Sequence, residues 1–209
     1  MKTILFDFDG TLLDSTERHT VLLRDILREE LPGGDTVPSL ERFMEYKRDG
    51  MSTRACLEKT YGFDRVFAHR CAEKWRERIE DREYLALDRL YPDSTAALEN
   101  LCRQYRLVLI SSRKSEAELN WQIDFFRIGS FFQAVHCVAP GDSVRTKAFY
   151  AARYPDAVLV VGDTEADLEC AAASGLPFYA LNRGFRSQSF WDEKNIRSFG
   201  DLSSIRDLC

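Results

Sequence analysis

Short apolar segments alternate with amphipathic segments along most of the chain. The apolar segments are bounded by turn or polar residues and are too short for helices, so the pattern predicts buried strands. The predicted strands are Thr3–Phe8, Arg106–Ile110, Ala134–Val138, Ala157–Val161 and Pro177–Leu181. The predicted helices between them are Ser94–Tyr105, Ser115–Phe126, Thr146–Tyr154 and Thr164–Ser174. This alternation predicts an α/β fold: a Rossmann-like parallel sheet with helices on both faces.

The pattern changes between residues 14 and 90. This part of the chain is rich in Arg and Glu, and its apolar residues fall at helical spacing, as at Val21, Leu22 and Ile26. It contains no segment that predicts a buried strand. We therefore predict a helical insert at residues 15–90, within an α/β core formed by residues 1–14 and 91–209.

Composition narrows the range of functions. The chain has 209 residues, of which 44% are hydrophobic, so it can bury a core without disulfides or structural metals. Lys and Arg total 29 against 34 Asp and Glu, a formal charge of −5, and no run of basic residues stands out. Neither nucleic acid nor an anionic membrane surface is an expected partner. The sequence makes no prediction of oligomeric state.

The cysteines and the N-terminal residues bear on the cellular compartment. Six cysteines are scattered singly, without a Cys-x-x-Cys pair, and we interpret them as reduced and mostly buried. The N-terminal residues reach Asp7 too early for the apolar stretch of a signal peptide, and no segment approaches the length of a membrane span. We expect a cytoplasmic protein.

Polar side chains follow the predicted strands. Asp7 and Asp9 come at the end of the first strand, Ser111 follows the second, and Asp163 follows the fourth. Ligands of parallel α/β sheets bind beyond the carboxyl ends of the strands. The sequence therefore predicts a cluster of carboxylates and a hydroxyl at one edge of the sheet.

Asp7 and Asp9 are the first candidates for chemistry. Being two residues apart on an extended chain, their side chains can point the same way, and Gly10 lets the backbone turn just beyond them. Two carboxylates so close repel each other unless a cation lies between them, and oxygen ligands suit Mg²⁺. The alternative is an ordinary Asp-Gly turn that ends a strand.

A second acidic pair follows the strand at Ala157–Val161. Asp163 directly follows that strand and is the firmer candidate for a metal ligand. Asp167 is also a candidate, although it could instead be the acidic partner of Thr164 in a helix capping box. The two roles can coexist.

Three further residues could bind a phosphoryl group. The hydroxyls of Ser111 and Ser112 could donate to a phosphoryl oxygen, or they could be loop residues without a role. Lys147 follows Thr146, a possible N-cap, and its charge opposes the helix dipole unless an anion is held nearby. The alternative is a solvated surface lysine, with Arg145 an equally plausible phosphate ligand.

In this order, the four signals resemble the motifs of the haloacid dehalogenase-like hydrolase superfamily, specifically its phosphoglycolate phosphatase-like members with a helical cap. Residues 7–15 resemble the first motif, Ser111 the second, Lys147 the third, and residues 162–167 the fourth. The resemblance implies that residues 15–90 form a cap over the site. It covers the whole predicted catalytic core.

The resemblance implies a mechanism for small phosphorylated metabolites. Asp7 would attack phosphorus and form an aspartyl-phosphate, while Asp9 would protonate the leaving oxygen and later activate water. Asp7, the backbone carbonyl of Asp9 and Asp163, supported by Asp167, would hold Mg²⁺. The remaining phosphoryl oxygens would be held by Ser111, Ser112 and Lys147.

Details of the motifs favour hydrolysis but leave alternatives. Asp9 favours phosphoryl transfer over carbon–halogen cleavage, and the Gly-Asp-x-x-x-Asp form of the fourth motif favours a phosphatase over a mutase. A β-phosphoglucomutase-like phosphomutase and a non-catalytic binding protein remain alternatives. Where many relatives have Asn-Lys after the second motif, this chain has Ser112-Arg113, and Arg183 replaces a frequent aromatic residue. The identity of the substrate therefore stays open.

A basic segment in the insert resembles a loop that contacts substrate in relatives. It spans residues 47–54. Lys47, Arg48 and Arg54, together with Arg113 beside the second motif, are predicted to meet a second anionic group of the substrate. The alternative is an ordinary charged turn between helices.

Overall fold

The computed structural model of the chain describes residues 1–31, 33, 37–142 and 146–205. Arg145 and Cys209, which entered the interpretation of the sequence, lie outside these residues. The five cysteines within them are free thiols, as predicted.

Six parallel strands form the central sheet, and two short strands form a separate antiparallel pair. The strands are β1 (Thr3–Phe6), β2 (Leu13–Asp14), β3 (Arg89–Leu90), β4 (Arg106–Ser112), β5 (Phe132–Val138), β6 (Ala157–Gly162), β7 (Phe178–Leu181) and β8 (Ser198–Phe199). The sheet order is β5-β4-β1-β6-β7-β8, and β2 pairs with β3. All five predicted strands are present. The sixth, β8, was not predicted because its two residues form no apolar run.

The helices lie before, between and after these strands. They are α1 (Thr16–Glu30), α2 (Phe43–Arg48), α3 (Thr53–Lys59), α4 (Arg65–Arg78), α5 (Arg82–Leu85), α6 (Ser94–Leu101), α7 (Glu116–Phe125), α8 (Lys147–Ala151), α9 (Glu165–Ser174) and α10 (Gln188–Glu193). The four predicted helices are present as α6 to α9, and α10 was not predicted. Among the described residues, no helix combines the length and the apolar character that crossing a membrane requires.

Alternate side chains of the strands are buried on opposite faces of the sheet. On one face Phe6, Leu109 and Val161 pack with residues of α6 and α7. On the other face Leu5, Val108 and Val160 pack with residues of α8 and α9. Since both faces are covered by helices, the central strands carry consecutive apolar residues, as at residues 107–110 and 157–161, and the predicted α/β architecture is confirmed.

Strand register determines where the predicted site residues lie. Phe6 at the end of β1 pairs with Leu109 of β4 and with Val161 of β6. Because the three strands are parallel and in this register, the residues that follow them come together at one edge. Asp7, Ser111 and Asp163 therefore lie at the carboxyl end of the three central strands.

The helical insert consists of α1 to α5 and lies between β2 and β3. Its helices enclose an apolar cluster of their own, which includes Leu23, Ile26, Phe43 and Leu57. The helical character predicted for residues 15–90 is thus present. That these residues behave as a separate domain stays a prediction.

Two groups of hydrogen bonds dock the insert onto the core. On one side, the Glu80 carboxylate accepts bonds from the backbone amides of Lys114 (2.8 Å) and Ser115 (3.0 Å). In return, the Lys114 ammonium donates to the carbonyl of Glu77 at 2.8 Å. On the other side, Arg48 Nε donates to the carbonyl of Gly184 at 2.9 Å. We refer to these bonds as the docking contacts.

Candidate active site

A cluster of three buried carboxylates lies at the edge of the sheet. Asp7 follows β1, Asp163 follows β6, and Asp167 lies in the first turn of α9. One oxygen of each lies within 4.8 Å of the others. The sequence predicted all three as metal ligands, and the structure brings them together.

Lys147 lies at the start of α8 and joins two members of this cluster. Its Nζ donates to Asp7 Oδ1 at 2.6 Å and to Asp167 Oδ1 at 2.5 Å. The side chain is buried, so it is not the solvated surface lysine of the alternative interpretation. The Thr146 hydroxyl caps the helix by accepting from the amide of Phe149, as the sequence suggested.

Negative charge exceeds positive charge in this cluster. Burial raises the pKa of Asp7 to about 7, although Lys147 opposes the shift. Burial also raises the pKa of Asp163 well above its usual range, and Asp7 and Asp167 add to the effect. Burial alone would lower the pKa of Lys147, but Asp167 and Asp7 outweigh it and raise it. Three buried carboxylates with a single ammonium are the donor set that a hard divalent cation fits.

Asp167 serves two purposes. While Oδ1 receives Lys147, Oδ2 accepts bonds from the amide of Thr164 at 3.1 Å and its hydroxyl at 2.8 Å. The capping box and the cluster therefore coexist, as the sequence analysis allowed. Both oxygens of Asp163 are engaged as well, by the Thr11 hydroxyl at 3.2 Å and by the amide of Phe185 at 2.6 Å, so hydrogen bonds orient both carboxylates within the cluster.

The carboxylate of Asp9 lies apart from the cluster. Arg113 donates to both of its oxygens, from Nε at 2.6 Å and from Nη2 at 2.8 Å, and Arg18 pairs with Oδ1. Burial would raise the pKa of Asp9, but Arg113 and Arg18 outweigh it and hold that pKa well below its usual range. Asp9 is thus an ionised carboxylate held by two guanidinium groups. This position is compatible with the predicted metal contact of Asp9, because that contact was assigned to its backbone carbonyl.

Two more residues extend this arrangement into a closed ring. Arg18 Nε lies 3.2 Å from Asp88 Oδ1, and Gln122 Nε2 donates to Asp88 Oδ2 at 2.6 Å. Gln122 Oε1 accepts from Arg113 Nη2 at 2.7 Å, which closes the circuit. We call these five residues, Asp9, Arg18, Asp88, Arg113 and Gln122, the Asp9 ring. All but Asp9 are almost completely buried.

The sequence analysis missed three members of the ring. Arg18, Asp88 and Gln122 lie in three separate segments, and none belongs to a motif. Arg18 falls in a helix rich in charged residues, where a surface position is the ordinary expectation. The apolar pattern indicates only that neighbouring positions in the sequence are buried. It does not identify a charged partner that is far away in sequence.

The two serines at the end of β4 differ in their surroundings. Ser111 is 1% exposed, and within the described ranges its Oγ has no hydrogen-bond partner. Ser112 is exposed and borders a cavity that Arg113 also lines. A buried hydroxyl without a partner at the end of a strand is available to bind a ligand oxygen.

A cavity of about 260 Å³ lies between the insert and the strand ends. Its lining includes Asp9, Arg18, His19, Trp75, Arg113 and Phe185. The His19 ring packs against Trp75 and Phe185, with centroids 5.0 and 4.9 Å away. Burial and the nearby Arg18 lower the pKa of His19, so the ring is neutral. The sequence analysis did not single out this aromatic wall.

The four basic residues predicted to contact substrate have different surroundings. Arg113 belongs to the Asp9 ring, Arg48 makes docking contacts, and Arg54 lies 3.4 Å from Glu58 at the surface. Lys47 Nζ lies 4.7 Å from the centroid of the Trp75 ring. No carboxylate pairs with Lys47 in the part of the chain that the structure describes, and burial lowers its pKa to about 8.

Comparison with known proteins identifies the family. Residues 4–181 match the family model of haloacid dehalogenase-like hydrolases, which is most of the chain. The chain belongs to this family, and the predicted resemblance to haloacid dehalogenase-like hydrolases is confirmed.

Individual relatives and structures agree with this assignment. Phosphoglycolate phosphatase of Rhodobacter capsulatus is 26% identical over 97% of this chain and 94% of its own length. The fold is similar to that of a putative phosphatase from Clostridium difficile, with a TM-score of 0.77 at 21% identity, covering 99% of this chain and 97% of that one. A predicted phosphoglycolate phosphatase from Haemophilus somnus gives a TM-score of 0.70 at 21% identity, with 99% and 97% covered. The chain is accordingly an enzyme, a phosphatase of the phosphoric monoester hydrolase class.

Proposed function

We propose that this phosphatase hydrolyses small phosphorylated metabolites with Mg²⁺, through an aspartyl-phosphate on Asp7. The observation that carries the proposal is the buried cluster of Asp7, Asp163 and Asp167 around Lys147, with Asp9 two residues beyond Asp7. The names of the relatives support a small phosphomonoester, and phosphoglycolate is the first candidate. We expect the enzyme to act in the cytoplasm.

Asp7 is the proposed nucleophile. Its Oδ1 receives the Lys147 ammonium at 2.6 Å, which fixes the carboxylate and leaves Oδ2 for attack on phosphorus. Mg²⁺ would be held by Asp7, Asp163 and the backbone carbonyl of Asp9, where it would neutralise charge on the transferring group. Asp167 would support the site by holding Lys147.

The phosphoryl oxygens need donors besides the cation. Ser111 Oγ is buried and, among the described residues, unpartnered, so it can donate to one of these oxygens. The ammonium of Lys147 can share a further proton with a second oxygen. Ser112 is the weaker candidate because it is exposed at the cavity rim.

Asp9 is the proposed acid and base. Because Arg113 and Arg18 keep its carboxylate ionised in the free enzyme, the proton that it passes to the leaving oxygen would be brought in by the monoanion of the phosphomonoester. Asp9 lines the cavity of about 260 Å³ between the insert and the strand ends, a space suited to a small leaving group. In the proposed role the insert acts as a cap, since His19 and Trp75 come from it and close the cavity. Lys47, behind Trp75, is the best placed of the basic insert residues to attract a second anionic group.

Arg183 does not weigh against phosphoglycolate. It departs from the aromatic residue frequent in relatives, but its Nη1 pairs with Asp93 at 2.6 Å and its Nη2 donates to the Thr11 carbonyl at 2.7 Å. Its guanidinium also lies 4.1 Å from the centroid of the Tyr91 ring. Arg183 is thus occupied in holding its loop to the core.

A phosphate-release screen over a panel of small phosphomonoesters, with and without Mg²⁺, tests the proposal. We expect turnover only with a divalent cation, and loss of turnover by about 10⁴-fold or more in D7N, because the nucleophile is removed. Comparable turnover by D7N and wild type would refute the nucleophile. Isomerisation of a sugar phosphate with little phosphate release would instead favour the mutase alternative.

A further inference from the structure

The Asp9 ring contains a residue whose role the motifs do not predict. We propose that Arg18 is a positioning residue for the acid and base Asp9, holding its carboxylate from the side of the insert. This inference rests on the proposed function of Asp9 and adds to it. Arg18 is the only member of the ring in α1, the first helix of the insert.

The geometry fixes Asp9 from two directions. Arg113 donates to both carboxylate oxygens from the core, and Arg18 binds Oδ1 from the insert. Arg113 is itself oriented by Gln122, and Arg18 by Asp88. Without Arg18, Oδ1 loses its partner from the insert, and the carboxylate is held by the two bonds from Arg113 alone. The orientation of Asp9 toward the leaving oxygen therefore depends on Arg18.

A purely structural role would have a different signature. Two guanidinium groups, of Arg18 and Arg113, face the carboxyl groups of Asp9 and Asp88, and all members of the ring but Asp9 are almost completely buried. Such a network could serve only to hold the insert on the core. In that case its loss would affect every substrate equally, whereas loss of a positioned acid affects substrates according to their leaving groups.

Leaving-group chemistry separates the two roles. Alkyl phosphomonoesters have a poor leaving group, whose oxygen needs a proton as the bond to phosphorus breaks, and a positioned acid contributes about 10²–10⁴-fold there. An aryl ester such as p-nitrophenyl phosphate releases a stable phenolate and needs little help. A misplaced Asp9 should therefore slow the alkyl ester selectively.

The experiment measures kcat/KM of wild type, R18Q and R18K with p-nitrophenyl phosphate and with the best alkyl substrate of the screen. We expect R18Q to lose about tenfold or more with the alkyl ester and less than about threefold with the aryl ester. R18K should recover part of the alkyl activity, since it keeps the charge but not the fork geometry. R78Q is the matched control, because it removes an insert ion pair, with Glu29, outside the ring.

A double-mutant cycle with D9N tests whether Arg18 acts through Asp9. If it does, R18Q causes no further loss with the alkyl ester in the D9N background. Equal losses with both esters in wild-type background, or additive losses in the cycle, would overturn the inference while leaving the proposed function intact. Absence of phosphate release by wild type would overturn both.

The experiment needs a second variant in case R18Q does not fold, because R18Q leaves the buried Asp88 without its guanidinium partner. The variant R18Q/D88N removes both members of this pair, so it can replace R18Q in every arm. Selective loss with the alkyl ester in R18Q/D88N supports the positioning role. Equal activity of R18Q/D88N and wild type with the alkyl ester contradicts it.

Discussion

At the scale of single residues, Gly184 determines how closely the loop after β7 approaches the carboxylate cluster. A Cβ at this position would lie 2.1 Å from Asp163 Oδ2 and 2.5 Å from the carbonyl oxygen of Gly10. The next residue, Phe185, donates its amide to the same Asp163 oxygen at 2.6 Å. The orientation of Asp163, a proposed metal ligand, thus depends on residue 184 being glycine.

We predict that G184A weakens both stability and metal binding. The added methyl group must displace Asp163 or the backbone at Gly10, and overpacking of this kind costs about 1–3 kcal/mol. Chemical denaturation and a Mg²⁺ titration of activity would measure the two effects. G200A is the control, because the nearest neighbour of its Cβ, Asn182 Oδ1, lies 3.8 Å away. Equal behaviour of the two variants would contradict the prediction.

The residues that the sequence identified share a local signature. Asp7, Ser111 and Asp163 each follow an apolar strand, and Lys147 begins a helix, so their position relative to the sheet edge could be inferred from neighbours in sequence. Arg18 and Gln122 have no such signature. Arg18 binds Asp9, whereas Gln122 binds Arg113 and Asp88, in each case between different elements of the fold. A pattern along the chain does not encode which buried polar groups will pair in this way.

At the scale of elements, the docking contacts join α2 and the end of α4 in the insert to the loop after β7 and the loop before α7 in the core. Glu80, just beyond α4, accepts from amides at the start of α7, and Lys114 donates to a carbonyl at the end of α4. Groups at these positions have no hydrogen-bond partner within their own helix. These contacts hold the aromatic wall of the cavity against the strand ends.

We predict that E80A loosens the insert locally. The amides of Lys114 and Ser115 lose a charged acceptor, and leaving such donors unpaired costs about 1–3 kcal/mol. Hydrogen–deuterium exchange should become faster in peptides that cover residues 113–116 and 76–80. E83A is the control, since Glu83 is an exposed glutamate of α5. Unchanged exchange in E80A would show that the insert is held by its apolar contacts instead.

Prediction of the elements from sequence succeeded where the pattern was long. The central strands and α6 to α9 carry clear apolar periodicity, and the five insert helices were anticipated as a group. The misses are α10 and the three strands of two residues each, β2, β3 and β8. The last of these is paired to β7 through Ala180 and Leu181. Such a strand is formed by the edge it joins rather than by its own sequence.

At the scale of the whole molecule, the carboxylate cluster links cation binding to folding stability. Asp7 has a pKa of about 7 in the folded chain, raised by burial, so it holds its proton at pH values where an unfolded aspartate has lost it. The stability this provides is present at low pH and declines as the pH rises through 7. A bound divalent cation would reverse the decline, because it requires the ionised carboxylates.

We predict that Mg²⁺ raises the melting temperature more at pH 8 than at pH 5.5. At pH 5.5 protons compete with the cation for Asp7 and Asp163. At pH 8 fewer protons compete, and the cation supplies the positive charge that offsets the ionised carboxylates. Thermal unfolding at both pH values, with and without Mg²⁺, measures the difference, and each kcal/mol corresponds to about 2–4 °C. D163N should lose most of the shift. A shift that is independent of pH would argue against a carboxylate site.

The docking contacts affect how the insert and the core can vary in sequence. Glu80, Lys114 and Arg48 each bind a peptide group of the other part, and a peptide group is the same whichever residue supplies it. Substitutions in the receiving loops therefore need no matching substitution across the interface, provided that the backbone keeps its course. We expect related sequences to show little paired variation at the docking contacts, whereas the Asp9 ring, whose side chains pair with one another across the same interface, should vary only in concert.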